Sequence, residues 1–451
     1  MSDIIAAIAT GRAPCAIGIL RLSGPGCAAL TGSVFTPKQP FADAPDRRLV
    51  LGLLHDRQGR VIDECLGVVC RAPHSYTGEE TVELQCHGSP AMLAAGLEAL
   101  LAAGARQAGP GEFTRRAFLN GKLDLTQAEA VVDLIDAETA DAAANAAGQL
   151  GGALKRAIEP VYDGLTDLCS HFHAVLDYPD EDIEDFGAAE LSGALDRAGA
   201  ALQELLATYE KGRHLRQGVR AVLLGKPNAG KSSLLNRLAG YDRVIVTDIA
   251  GTTRDTVEEP VRVGRVLLRL TDTAGIREAG DAIEALGVAR SEQAAREAEL
   301  ALFVCDASRP LTDEDRRAIE AAKCAPRSLA LCNKSDLPAA VSPDELPFDT
   351  VLTVSARTGA GLDALPAVLE GWFLGENACD GSLLTNPRQF GALDRASRAI
   401  ERAKTGLSLG VTPDAVLTDV EEAMAALGEV TGRTVREDIT NRIFERFCVG
   451  K

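Results

Sequence analysis

The sequence predicts an α+β multidomain protein with an N-terminal α/β domain, an all-helical bundle and a second α/β domain inserted into that bundle. Three observations support this prediction. The chain has 451 residues, enough for two or three domains. Apolar residues repeat with a helical period from about residue 123 to 212, and again from residue 387 onwards. Between these stretches an apolar strand, a glycine-containing loop and a helix follow one another, which is typical of an α/β unit.

The predicted domain boundaries follow from these changes of pattern. Residues 1–120 form the first domain, in which β-like runs precede a helical run at 90–105. The β-like runs are AIGILRLSG, RLVLGLLHD, CLGVVCRAP and TVELQCHGS. The helical bundle takes residues 121–216 and 377–451, and the inserted α/β domain takes residues 217–376.

Composition narrows the classes of function. The net charge is −18 and aromatic residues make up 4% of the chain, which argues against a basic nucleic-acid-binding domain and a base-stacking surface. The N-terminus lacks the basic region of a secretory signal, and no run of about 18 apolar residues is present to span a membrane. Eleven cysteines without a C-x-x-C pair fit a reducing compartment, so we expect a cytoplasmic protein. An acidic stretch at 176–186 is better explained as a solvated helix junction than as a metal site.

The loop GKPNAGKS at 225–232 matches the phosphate-binding pattern G-x-x-x-x-G-K-[ST]. An apolar strand precedes it at 219–225 and a helix follows it at 231–240. This context predicts a P-loop α/β domain, in which successive N–H groups and a helix N-terminus hold phosphate oxygens. We expect Lys231 to reach the β- and γ-phosphates and the Ser232 hydroxyl to bind Mg²⁺. The candidate nucleotide contacts in this loop are Asn228, Ala229, Gly230, Lys231, Ser232 and Ser233.

Three later segments indicate which nucleotide binds. Asn333, Lys334 and Asp336 follow an apolar run, and a carboxylate there accepts from both the N1–H and the 2-amino group of guanine, a donor pair that adenine lacks. A second segment, Ser355, Ala356 and Arg357, fits the loop that closes over the base. A third segment supplies an Asp on the Mg²⁺ side and a Gly for the γ-phosphate; its residues are Asp272, Thr273, Ala274 and Gly275. Alone, the NKSD segment is an ordinary turn, but the four elements in this order resemble the translation-factor-like GTPases and predict a GTP-binding domain.

The predicted catalytic residues differ from those of Ras-like GTPases. Ile276 stands where those proteins have the Gln that orients the attacking water. Glu284 is the candidate for that role, and a solvated carboxylate on a helix face is the alternative. A switch that senses the γ-phosphate is predicted at 247–255, with Thr253 as Mg²⁺ ligand. Its candidate nucleotide contacts are Thr247, Asp248, Ile249, Ala250, Gly251, Thr252 and Thr253. With oxygens of this loop, Asn228 is a candidate ligand of a monovalent cation that takes the place of an arginine finger.

The chain ends in FCVGK, which is a poor match to a prenylation signal. Together with the GTPase loops, this ending resembles the tRNA-modification GTPase family called MnmE or TrmE, and the resemblance covers essentially the full length. The matching segments include GILRLSG, SYTGEETVELQCHG, PGEFTRRAFLNGKLDLTQAEAVVDLIDA, GKPNAGKSSLLN, TDIAGTTRD, DTAGIRE, NKSD and SARTG.

The resemblance implies that the N-terminal α/β domain is a folate-binding domain, which takes 5-formyl- or methylene-tetrahydrofolate and also dimerises the protein. By motif position, the folate contacts fall on Arg21, Glu83, Lys122 and Lys451. Cations can pair with the carboxylates of the folate's glutamate tail, and a carboxylate can accept from the N–H donors of the pterin. The alternative is that each of these residues forms an ordinary ion pair at the surface. Cys448 matches the family's C-terminal Cys, as a catalytic residue or as one that only packs beside the folate.

The resemblance also implies two metal sites. The K⁺ ligands are Asn228, Thr247, the carbonyl of Ile249, and Thr252, and the Mg²⁺ ligands are Ser232 and Thr253. Glu284 matches the residue that positions water in the family, which has an apolar residue at the place of Ile276.

For function, the resemblance implies that GTP and K⁺ bring together the two GTPase domains of a homodimer and so trigger hydrolysis to GDP and phosphate. With the flavoprotein MnmG (GidA), which carries FAD, the family forms a heterotetramer. This assembly adds an aminomethyl or carboxymethylaminomethyl group to C5 of the wobble uridine of certain tRNAs with a folate one-carbon unit. A ribosome-assembly regulatory GTPase and an NTP-driven mechanical bundle are the alternatives. The acidic composition disfavours the first, and the guanine-binding set disfavours the second.

Overall fold

Two compact units make up the chain. The computed structural model describes residues 3–11, 13–37, 40–177, 188–241, 258–272, 284–375, 380–434, 443–444 and 447–450. The first unit comprises residues 1–132, 150–196 and 395–451, and the second comprises residues 133–149 and 197–394. No helix in the described ranges is long and apolar enough to cross a membrane.

A seven-stranded sheet forms the N-terminal part of the first unit. Its strands are β1 (Ile5–Ile8), β2 (Cys15–Ser23), β3 (Phe35–Pro37), β4 (Val50–His55), β5 (Val61–Cys70), β6 (Thr81–Gly88) and β7 (Arg106–Gln107), in the order β3-β4-β5-β6-β2-β1-β7. Along β6 the side chains of Val82, Leu84 and Cys86 are buried, because a period of two places alternate residues on the core face. Helices α1 (Cys27–Thr31) and α2 (Pro90–Ala102) contact this sheet. The four predicted β-like runs are β2, β4, β5 and β6, and the predicted helical run is α2.

After the seven-stranded sheet the described chain is mostly helical up to residue 217, in segments that belong to both units. In chain order the next helices are α3 (Glu112–Leu119), α4 (Leu125–Ile135), α5 (Ala140–Leu150), α6 (Ala153–Asp177), α7 (Ala188–Ala207) and α8 (Tyr209–Gln217). The last two helices of the chain are α13 (Pro387–Ser408) and α14 (Pro413–Thr431). Helix α14 packs along α6, where Cys169 Sγ lies 3.4 Å from Met424 Sδ. The helical period predicted for residues 123–212 and from residue 387 onwards is therefore present as helices in the described parts of both stretches.

The C-terminal residues 447–450 return to the N-terminal part of the first unit. Val449 forms an isolated β-bridge with Pro110, and the Gly111 N–H donates to the Cys448 carbonyl over 3.2 Å. The Phe447 ring is buried beside Phe444, with 5.1 Å between the ring centroids. These contacts place the end of the chain against the loop that precedes α3.

A six-stranded sheet lies at the centre of the second unit. Its strands are β8 (Val219–Leu224), β9 (Glu258–Val263), β10 (Val266–Asp272), β11 (Leu300–Asp306), β12 (Arg327–Asn333) and β13 (Val351–Thr353), in the order β13-β12-β11-β8-β10-β9. All neighbours are parallel except β9 and β10. The helices around it include α9 (Lys231–Tyr241), α10 (Glu284–Glu297), α11 (Asp313–Ala322) and α12 (Ala364–Phe373). Strand β11 is buried at all seven residues, as expected for a strand covered on both faces. The carboxyl ends of the parallel strands therefore meet at one edge, the usual position of a ligand site.

Residues 133–149 belong to the second unit, although the helical pattern predicts them within the bundle. Arg265 Nε lies 2.5 Å from Asp141 Oδ2, and Arg269 Nη2 lies 2.6 Å from Glu138 Oε1. The Gln149 amide donates to the Leu383 carbonyl over 2.6 Å. Helix α5 thus contacts the β9–β10 hairpin and the segment before α13 through charged and polar groups.

Candidate nucleotide-binding site

The loop between β8 and α9 lies at the carboxyl edge of the second sheet. Gly225 has φ 145°, and a Cβ there would come within 2.1 Å of the Val304 carbonyl oxygen. Gly230 has φ 95°, and a Cβ there would come within 2.2 Å of Asn333 Nδ2. Both positions therefore require glycine, because backbone or a buried amide approaches too closely for any side chain.

The remaining loop residues present polar groups. Asn228 has φ 64°, a left-handed conformation that Asn adopts more readily than most residues, and its side chain is exposed. The Lys231 ammonium donates to the carbonyls of Gly225 over 2.6 Å and Lys226 over 2.9 Å. Lys231 and Ser232 line a cleft together with Thr271 at the end of β10. Cation, hydroxyl and loop N–H groups are thus gathered where a phosphate chain can lie.

Asn333 joins the phosphate loop to the segment predicted to close over the base. Its side chain is buried, and its Nδ2 donates to the Ala229 carbonyl over 2.9 Å. Its Oδ1 accepts from the Ala356 N–H, also over 2.9 Å. Three predicted segments that are distant in sequence are therefore in direct contact at one site.

Asp336 is held by the same closing segment. The Ser355 hydroxyl donates to Asp336 Oδ1 over 2.7 Å, and Arg357 Nη1 lies 3.9 Å from Asp336 Oδ2. The hydrogen bond from Ser355 is the main cause that lowers the pKa of the Asp336 carboxyl. An ionised carboxylate accepts hydrogen bonds only, which is what a guanine edge with two donors requires.

Asp306, the last residue of β11, is part of this site but carries no motif in the sequence. Lys334 has φ 68°, and its ammonium lies 2.7 Å from Asp306 Oδ2. Burial would raise the pKa of Asp306, but hydrogen bonds from Lys334 and Ser308 outweigh it, and the pKa is lowered. The one feature of the sequence that could have identified Asp306 is that it is an acidic residue at the end of an apolar run, β11, which lies parallel to β12. Arg237 of α9 is a second unpredicted residue, and it donates to the Thr358 carbonyl over 2.9 Å.

Several predicted residues lie outside the described residues. They are Thr247, Asp248, Ile249, Ala250, Gly251, Thr252, Thr253, Thr273, Ala274, Gly275, Ile276 and Lys451. Residues 178–186 of the acidic stretch lie outside them as well. Asp272 is the last residue of β10, in register with Leu223 of β8, and Glu284 is the first residue of α10.

In the first unit, Arg21 and Glu83 lie opposite each other on β2 and β6, with Arg21 Nε 2.8 Å from Glu83 Oε1. Arg21 Nη1 also donates to the Gly450 carbonyl over 3.3 Å. The Arg21 guanidinium lies 5.6 Å from the ring centre of Tyr76 and 5.8 Å from that of Phe113. Antiparallel register thus pairs a cation with a carboxylate, and two aromatic rings and the C-terminal segment contact the same guanidinium.

The other predicted residues of this region lie on neighbouring segments. The Lys122 ammonium donates to the Pro73 carbonyl over 3.2 Å, on the loop that carries Tyr76. Cys448 is exposed, two residues before Gly450. Burial raises the pKa of the Tyr76 phenol, and the hydrogen bond between the Tyr76 and Thr114 hydroxyls opposes that rise.

Two protein families match this chain. The family described as GTP-binding protein TrmE N-terminus matches residues 4–122, and the MnmE helical domain matches residues 125–448. The chain is similar to the tRNA modification GTPase MnmE of Roseiflexus sp. (strain RS-1), with 45% identity over 465 residues that cover 100% of this chain and 99% of the relative. The protein of the same name from Chloroflexus aurantiacus is 42% identical over 457 residues, and that from Aquifex aeolicus is 41% identical over 455 residues. Both alignments cover 100% of this chain and of the relative.

Proposed function

The chain belongs to the MnmE family of tRNA modification GTPases, and from this membership we propose that it binds GTP at residues 225–232 and hydrolyses it to GDP and phosphate during tRNA modification. The observation that carries the proposal is the position of Asn333, which contacts both Ala229 and Ala356. Through this side chain the phosphate loop and the base segment are joined by hydrogen bonds at one place.

In this proposal each part of the site contacts one part of GTP. The N–H groups of the loop and the Lys231 ammonium bind the phosphates, and Asp336 accepts from the guanine N1–H and 2-amino groups. Lys334, fixed by Asp306, supports the base. The donor set is the chemical complement of a triphosphate and of a base edge with two donors.

Two metal sites complete the proposed reaction centre. The exposed Ser232 hydroxyl at the start of α9 fits an Mg²⁺ ligand, with Thr253 as the second protein ligand. Asn228, exposed in the loop, fits a K⁺ ligand; its proposed companions are Thr247, Ile249 and Thr252. When bound, Mg²⁺ and K⁺ would neutralise negative charge on the phosphates. Glu284 is proposed to orient the attacking water, since Ile276 has no polar group.

For the first unit we propose a tetrahydrofolate site at Arg21, Glu83, Lys122 and Lys451. The Arg21–Glu83 ion pair supports this proposal, because its side chains are only 14% and 26% exposed. The Arg21 guanidinium also lies beside the rings of Tyr76 and Phe113. In a folate, the glutamate tail can pair with a cation and the pterin edge can donate to a carboxylate. The faces of its rings can stack on aromatic side chains. Cys448 is three residues before Lys451 in the sequence, and we propose that it either takes part in the folate chemistry or packs beside the folate.

We further propose a homodimer that assembles with the flavoprotein MnmG, which carries FAD, into a heterotetramer acting in the cytoplasm on the wobble uridine of tRNA. Three exposed leucines support a dimer: Leu51 and Leu53 lie on one face of β4 and are 53% and 36% exposed, and Leu49, just before the strand, is 50% exposed. We also propose that the GTPase domain is inserted into the helical bundle at 217–376. The first unit contains segments on both sides of that range, which supports the insertion.

The test of the proposed function is the modification state of tRNA in cells without the gene. We expect the C5 modification of wobble uridine to disappear from nucleoside mass spectra and to return with the wild-type gene. Lys231→Ala should fail to restore it, and Lys323→Ala, on an exposed helix surface, should restore it. Unchanged tRNA nucleosides in the deleted strain would contradict the proposal.

A further inference from the structure

Lys226, the second residue of the phosphate loop, forms an ion pair with Asp315 of α11. Lys226 Nζ lies 2.7 Å from Asp315 Oδ2, and the two side chains are 14% and 0% exposed. Position 226 is unspecified in the phosphate-loop pattern, and Asp315 belongs to no motif. The pair connects the first half of the loop to a helix that begins almost 90 residues later, at Asp313.

Asp315 is held in place within the first turn of α11. It occupies the third position of α11, and its Oδ2 also accepts from the N–H and the hydroxyl of Thr312, both over 2.8 Å. Its Oδ1 is buried and accepts no hydrogen bond from any residue in the described part of the chain. A buried carboxylate with one unpaired oxygen is costly without a nearby cation. Lys226 is the cation that the structure places there.

The same residue contacts the phosphate-binding lysine through its backbone. The Lys226 carbonyl accepts from Lys231 Nζ over 2.9 Å and from the Ala229 N–H over 3.4 Å. The side chain of Lys226 thus anchors the loop to α11, while its carbonyl sets the position of Lys231. A shift of this residue moves both the loop backbone and the ammonium that reaches the phosphates.

We propose that Lys226 and Asp315 are positioning residues that hold the phosphate loop in the shape that binds nucleotide, so that the pair sets the affinity for GDP and GTP. This inference rests on the proposed nucleotide site and adds two residues to it. If instead the pair served only to neutralise a buried charge, it would contribute to the stability of the fold and not to affinity.

Three variants of the full chain separate these roles: Lys226→Met, Lys226→Arg and the double variant Lys226→Met/Asp315→Asn. Dissociation constants are measured with a fluorescent GDP analogue, and thermal unfolding is followed without nucleotide. We expect Lys226→Met to weaken binding about tenfold, the scale of one lost charge-assisted hydrogen bond, and to lower the melting temperature. The double variant should recover melting temperature, because no unpaired charge stays buried, but its affinity should stay low.

Lys226→Arg keeps the cation and should bind GDP almost as the wild type does. Lys323→Met, on the exposed surface after α11, is the matched control and should change neither quantity. The inference would be overturned if Lys226→Met bound GDP as tightly as the wild type. It would also be overturned if the double variant regained both its melting temperature and its affinity for GDP. If the double variant does not fold, equal affinities of Lys226→Met and Lys226→Arg would overturn it in the same way. A wild-type chain that does not bind GDP would instead refute the proposed function on which the inference rests.

Discussion

Ser355 fixes Asp336 by a hydrogen bond of 2.7 Å from its hydroxyl to Oδ1, so that a residue after β13 orients a carboxylate after β12. The two residues are neighbours because β12 and β13 are parallel and adjacent, with Cys332 opposite Thr353. The carboxylate is therefore held in place before any base arrives, and its orientation is set by tertiary structure.

Asp336→Asn should change the base that the site accepts. An amide cannot accept from both guanine donors, so the affinity for GDP should fall at least about a hundredfold. Xanthine has an oxygen where guanine has the 2-amino group, and the amide N–H should bind it, so xanthosine diphosphate should bind better than GDP. Competition binding measures both effects, with Asp344→Asn on a surface turn as the control. Unchanged preference for GDP would show that Asp336 does not contact the base.

Hydrolysis of GTP should depend on the monovalent cation. At equal ionic strength we expect hydrolysis to be several-fold faster in KCl than in NaCl, because K⁺ fits the proposed site at Asn228 and Na⁺ is smaller. Asn228→Ala should erase this difference while leaving the circular dichroism spectrum unchanged. Phosphate release is the measurement, and equal wild-type rates in the two salts would count against the K⁺ site.

Arg21→Ala should weaken the binding of 5-formyl-tetrahydrofolate about tenfold or more, because it removes the cation and leaves Glu83 without its partner. Isothermal titration calorimetry measures the effect on the full chain. The control is Arg60→Ala, at a side chain that is 77% exposed in a turn of the same sheet. Equal folate affinity of Arg21→Ala and wild type would exclude Arg21 from the site.

Glu299→Gln should destabilise the second unit in a pH-dependent way. Burial would raise the pKa of Glu299, but hydrogen bonds from His214, Arg213 and the Arg220 N–H outweigh it and lower the pKa from 4.5 to about 2. A lowered folded pKa contributes stability above the unfolded pKa, and that contribution is lost as the pH falls through 4.5 towards 2.

From the lowered pKa we therefore expect Glu299→Gln to reduce the free energy of unfolding by about 2 kcal/mol at pH 7, and by progressively less below pH 4.5. Urea unfolding at pH 7 and at about pH 3.5 gives the two differences. Glu297→Gln, at an exposed position two residues earlier, should cost almost nothing at either pH. A difference between wild type and Glu299→Gln that does not change with pH would contradict this account.

Much of the site was predictable because its segments are local. A buried parallel strand reads as a short apolar run, and β8 and β12 each lead directly into the loop that carries the ligand groups. Glycine at 225 and 230 is required by close approach of backbone and of Asn333, and the phosphate-loop pattern records these two positions. Four of the seven strands of the N-terminal sheet (β2, β4, β5 and β6) and the helices on either side of the second sheet were likewise predictable from periods of two and of 3.6.

Other features were not predictable, because they depend on neighbours that only folding supplies. Asp306 and Asp315 look like ordinary acidic residues in the sequence, and each acquires a lysine partner only because β11 lies beside β12 and β8. Residues 133–149 have a helical period that fits the bundle, yet ion pairs to Arg265 and Arg269 join them to the second unit.

The sequence by itself determined which groups the protein has for binding nucleotide and the order in which they occur, because strand, loop and cap signals act over a few residues. Tertiary structure alone decided which of these groups meet. Strand order and register brought Asn333 to Ala229, Ser355 to Asp336 and Arg21 to Glu83. The physical reason is that a side chain's hydrogen bonds are set by the atoms within about 3 Å of it, and no short-range pattern specifies atoms that lie far away along the chain.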